Sequence, residues 1–219
     1  MSKLANLNYK NHKNNEPIWH IQLSILIIIV LQLVVDTKLG FSFKYAFILI
    51  ETLLFLSLTL VSLSSAILQI RRTLAIALIA LITACNIFSL TLVTMSLFDM
   101  SSHAVAGKDL LISASAIYIS NILVFAIWYW EMEYRASETP QDFLFANENA
   151  PEHTGLHKTG WQPVFFDYLY LSVTNSTAFS PTDTLPLTHR AKALMTVQSL
   201  ISLIIIVLVT ARAVNILAG

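Results

Sequence analysis

Hydrophobic positions along this chain come in long uncharged runs. Residues 45–70, 73–98, 110–130 and 193–211 carry at most one charge each. A helix needs about 20 residues to cross roughly 30 Å of hydrocarbon, so each run predicts a membrane-spanning helix. A fifth run, 21–35, has only 15 uncharged residues. It predicts a span that recruits Trp19, His20 and Asp36 at the interfaces. The connections at 36–44, 71–72 and 99–109 are short, which predicts an up-and-down antiparallel arrangement of the first four helices.

Residues 135–188 break the pattern. The segment is polar at first, with Pro140, Asp142, Glu148, Pro151, Glu152, Gly155 and Gly160, and turns aromatic and apolar from Val164 to Val173. Pro163 suits a helix start, and Asp167 in the first turn meets the positive end of the helix dipole. A helix of about 12 residues would be roughly 18 Å long, too short to span. It predicts entry into the membrane followed by a turn back. Pro181 and Pro186 then stop helix formation, Thr188 can cap the next helix, and the chain climbs through 189–217. Irregular backbone at membrane depth requires protein or water around it, which directs attention to Ser176–Asp183. The expected fold is an all-α integral membrane protein with five transmembrane helices and a short re-entrant helix and loop before the last span.

Composition agrees with lipid as the solvent: 219 residues are 56% hydrophobic and 12% charged, with mean hydropathy +0.68. Thirteen basic and 13 acidic residues cancel, so no global field favours nucleic acid. The single cysteine, Cys85, excludes an intramolecular disulfide framework and reads as a small packing residue. No Ala-x-Ala cleavage pattern follows the first apolar run, which predicts a retained helix.

The run Leu169-Tyr-Leu-Ser-Val-Thr-Asn-Ser-Thr-Ala-Phe-Ser-Pro-Thr-Asp183, followed by an apolar helix, resembles the pore helix, filter and inner helix of two-helix potassium channels. Thr177-Ala-Phe-Ser-Pro-Thr-Asp183 falls in register with that family's Thr-Thr-Val-Gly-Tyr-Gly-Asp. The filter glycines correspond to Ser180 and Thr182 and the filter tyrosine to Pro181. Glycine lets carbonyls line a pore at positive φ, which Ser and Thr reach only at a cost, so potassium selectivity is not expected. The chain also resembles an uncharacterised family of bacterial membrane proteins related to this architecture. The motifs are Asn121, Phe125-Ala-Ile-Trp-Tyr-Trp-Glu131, Asp142-Phe-Leu-Phe145, Asp167-Tyr-Leu-Tyr170, the 177–183 run and Ala211-Arg-Ala-Val-Asn-Ile-Leu217.

The hydrophobic pattern sets off a polar N-terminal segment 1–20 and a three-helix membrane region 21–109, and the resemblances, which cover roughly 110–217, imply a channel-like region 110–219. The last would comprise an outer helix 110–134, polar loop 135–160, pore-like helix 161–176, filter-like loop 177–188 and inner helix 189–219. The implied site is Thr177, Ala178, Phe179, Ser180, Pro181, Thr182 and Asp183, lining a path for small monovalent ions in a homo-oligomer, a tetramer by analogy. The alternative expectation is a non-conducting scaffold or accessory subunit using the same loop for packing. The bacterial inner membrane is the expected location.

Other candidates are intramembrane polar residues. Glu51 is costly in lipid and reads either as a proton or cation ligand or as a partner of Lys44. Asn86 and Asn121 read as interhelical hydrogen-bonding groups. Trp128, Tyr129, Trp130 and Tyr134 read as an interfacial belt, and Glu131 and Glu133 as solvated charge or a cation vestibule. His189, Arg190 and Lys192 oppose the dipole of their helix and call for an anion, a lipid headgroup or Asp183. Pro151 and Gly155 speak against a metal site at Glu152, His153 and His157. No elbow or oxyanion motif joins Ser180, Asp183 and His189, and no cofactor motif appears, so no enzyme is expected. Charge counting places nine basic residues inside against four outside if the N-terminus is cytoplasmic. The channel resemblance implies the reverse.

Overall fold

The computed structural model describes residues 19–39, 49–53, 55–57, 59, 68–98, 107–134, 141–146, 163–177 and 184–218. Described helices are α1 (Trp19–Leu39), α2 (helical at 49–53, 55–57 and 59), α3 (Leu68–Phe98), α4 (Gly107–Tyr134), α5 (Phe165–Ser176) and α6 (His189–Ala218). Two strands, β1 (Phe143–Phe145) and β2 (Thr184–Pro186), complete the inventory of the described residues. Trp19–Thr37, Thr73–Ser96, Gly107–Glu133 and His189–Ala211 are long and apolar enough to cross a membrane. The chain is a multi-pass membrane protein. The predicted 45–70 span is helical where described, and its remainder lies outside the described residues.

Hydroxyl side chains sit inside these apolar helices because each can bond its own backbone. Thr83 donates to the Ile79 carbonyl at 2.7 Å, Thr91 to Ile87 at 2.9 Å, Thr94 to Leu90 at 2.7 Å and Ser115 to Leu111 at 2.9 Å. Such bonds hide a polar group from lipid without a second helix.

The chain divides into two compact units, one of residues 1–21 and 125–199, the other of 22–124 and 200–219. In the second, Val35 of α1, Leu90 and Val93 of α3, Leu110, Ala114 and Ile117 of α4 and Ile205 of α6 form one buried cluster. Asn121 Nδ2 donates to Ser202 Oγ at 3.0 Å within the same unit, the interhelical role its type predicted.

The first unit is built on α5. Its helix begins one residue later than Val164, which is the extended N-cap, so Pro163 stands just outside rather than in the first turn. Asp167 accepts a 2.7 Å bond from the Val164 backbone N–H, the electrostatically favoured placement at a helix start. Phe165, Tyr168, Leu171, Ser172, Asn175 and Ser176 are buried, a spacing that puts them on one helical face. β1 and β2 pair antiparallel with Phe143 opposite Pro186 and Phe145 opposite Thr184. This short ladder sits in a mostly helical chain, within the stretch 135–160 expected as a polar loop: Phe143 and Phe145 are buried, and their rings meet Tyr129 and Tyr168 edge-on at 5.3 and 5.4 Å.

Candidate functional site

Two polar assemblies organise the first unit, and the second of them fastens α5. At one, the Glu133 carboxylate near the end of α4 accepts from the backbone N–H groups of Asp142 at 3.1 Å and Phe143 at 3.3 Å. Asp142, fully buried, in turn grips the first turn of α6. Arg190 Nε and Nη2 donate to its two oxygens at 2.7 and 2.6 Å, the Thr188 hydroxyl donates to Oδ1, and the Asp142 carbonyl accepts from Leu187 N–H at 2.8 Å. A bidentate fork fixes both distance and plane of the guanidinium. Thr188 Oγ1 also accepts from Ala191 N–H at 3.2 Å, the capping role expected of it. The end of α4, the β-ladder and the start of α6 are thus tied together, and the intervening chain leaves and returns at one place.

The second assembly centres on Gln198. Its Oε1 accepts from the Tyr129 hydroxyl and from Asn175 Nδ2 at 2.8 Å. Its Nε2 donates to the Ser172 carbonyl at 3.0 Å, Ser172 Oγ at 2.6 Å and Ser176 Oγ at 2.7 Å. Asn175 Nδ2 also donates to the Met195 carbonyl at 3.0 Å, and Ser199 Oγ donates to Asn175 Oδ1 at 3.1 Å. Gln198 lies nine residues beyond His189, about 14 Å along α6 at 1.5 Å per residue. The last turn of α5 is fastened at that level.

These contacts revise several expectations. Glu131 and Glu133 are buried, and Glu133 organises backbone instead of standing in solvent. Tyr129 is an interior hydrogen-bonding residue rather than a belt anchor, and Trp130 is buried as well. Arg190 finds its anion in Asp142, a partner that the sequence reading did not consider. Of the filter-like residues, Thr177 is described: its hydroxyl donates to the Val173 carbonyl at 3.0 Å. Ala178, Phe179, Ser180, Pro181, Thr182 and Asp183 lie outside the described residues.

In the other unit, Glu51 of α2 is 0% exposed, beside Gln32 of α1 and Cys85 of α3, with Asp36 in electrostatic reach. Neither Glu51 oxygen nor either polar atom of the Gln32 amide meets hydrogen-bond geometry with a described residue. Asn86 is buried too, with its Nδ2 unpartnered among the described residues. Sequence reading had not singled out Gln32 or Gln198. Their signal was there: an amide inside an uncharged apolar run must find partners.

Comparison with family models, curated proteins and solved structures found no significant match.

Proposed function

We propose that this protein is a channel-like pore-loop membrane protein. In this reading α5 enters the bilayer from the side where α4 ends and α6 begins, stops near the midplane, and hands the chain to Thr177–Asp183. That segment returns to β2 and lines a polar path for a small cation, shared between copies in a homo-oligomer, a tetramer by analogy with the channels the sequence resembles. Without filter glycines the path lacks potassium-type selectivity.

The observation that carries this reading is the place of the Gln198 assembly along α6. With α6 entering lipid at its first turn, as this reading has it, about 14 Å from the helix start is nearly half of a hydrocarbon core about 30 Å thick. Buried polar side chains of α5 end at that level, where a polar chain needs protein or water around it. The second reading, a non-conducting scaffold, is favoured by the internal satisfaction of Ser172, Asn175 and Ser176, which turns that face toward protein.

Flux into proteoliposomes distinguishes the two. A channel gives cation uptake that Thr177→Ala and Asp183→Ala diminish, from a particle whose mass in native-like lipid is a multiple of the 24.5 kDa chain. A monomeric particle with no flux supports the scaffold.

A further inference from the structure

The unit of residues 22–124 and 200–219 contains a polar site of its own, which the pore-loop reading does not use. We propose that Glu51 and Gln32 bind one sodium-sized monovalent cation between the membrane-embedded helices α1 and α2. Glu51 is wholly buried and Gln32 is 7% exposed, and together they present three oxygens in apolar surroundings. All of these oxygens lack a hydrogen-bond partner among the described residues. A carboxylate buried without a positive partner costs several kcal/mol, and no cation stands against Glu51 among the described residues, Lys44 lying outside them, so a ligand that supplies positive charge at this point has a large electrostatic incentive.

The donor set selects the class of ion. Glu51 offers a carboxylate and Gln32 a neutral amide oxygen, with Asp36 adding negative potential. No group of three or more His, Cys, Asp and Glu side chains capable of holding a metal occurs among the described residues. Calcium takes six to eight oxygen ligands and transition metals favour nitrogen or sulfur sets, whereas one carboxylate with a neutral oxygen balances a single positive charge. The Cys85 thiol lies against Glu51 but is a soft donor and adds nothing to the hard oxygen set.

The site is tested on the full chain in nanodiscs with dicyclohexylcarbodiimide, which attacks lipid-embedded carboxylic acids. The acid oxygen adds to the carbodiimide carbon, the acid proton passes to nitrogen, and acyl migration leaves a stable N-acylurea that peptide mass mapping locates. In choline chloride Glu51 is modified. Sodium chloride at about ten times the dissociation constant slows modification about tenfold. Gln32→Leu retains modification and loses sodium protection. Equal rates in sodium and choline overturn the proposal, as does an unmodified Glu51 in choline or full protection in a folded Gln32→Leu variant. The wild-type protein supplies an independent measure: its unfolding temperature rises with sodium relative to choline, and an unchanged temperature counts against the site. Both readouts are independent of pore conduction.

Discussion

At the scale of single residues, Gln198 has the largest structural consequence. One amide takes two donors on its oxygen and distributes its N–H groups among Ser172 and Ser176, joining α4, α5 and α6 within the first unit. Gln198→Leu has nearly the right volume but removes the acceptor of the Tyr129 hydroxyl and the donor to the Ser172 and Ser176 oxygens in a dry interior, while Asn175 keeps its bond to the Met195 carbonyl. Individual interhelical hydrogen bonds contribute roughly 0.6–2 kcal/mol, so the variant loses about 3 kcal/mol in reversible unfolding in mixed micelles. A loss below about 0.5 kcal/mol would mean that these groups find other partners.

What the sequence revealed at this scale was set by range. Asp167 and Thr188 cap helices through bonds three residues away, and local spacing is visible in a string. The Arg190–Asp142 pair spans 48 positions and the Tyr129–Gln198 pair 69. Glu133 reads as surface charge for a different reason: its partners are backbone N–H groups, which every residue but proline supplies.

Among elements, hydrophobic length identified the helices of 21 to 31 residues because lipid thickness leaves few alternatives. α5 was legible from Pro163, Asp167 and the abrupt change at Val164. The β1–β2 ladder was not, since three residues are too few to display a period of two. It holds because Phe143 and Phe145 are buried and because Glu133 supplies acceptors at its open end. Glu133→Ala leaves two backbone donors unpaired, at about 2 kcal/mol in total, which accelerates amide hydrogen exchange at Asp142 and Phe143 roughly thirtyfold. Exchange in the centre of α3, in the other unit, stays unchanged. An equal acceleration in α3 would mean that Glu133 supports global stability instead of the ladder.

For the whole molecule, burial differs sharply among helices of similar hydropathy. Gly107–Glu133 has 61% of its most apolar window buried, against 22% for His189–Ala211. α6 therefore leaves most of its surface for lipid or for another copy, and Leu200, Leu203 and Val207 are among the exposed side chains. The pore-loop account depends on how deeply α5 enters the bilayer. Depth is measured directly by attaching a fluorophore to Val164→Cys and, separately, Val173→Cys in a Cys85→Ala background, then quenching with lipids brominated at graded positions along the acyl chain. The account predicts Val164 near the headgroups and Val173 about 14 Å deeper, nine residues further along the helix. Both labels at headgroup level, or Val173 beyond the midplane, would contradict it.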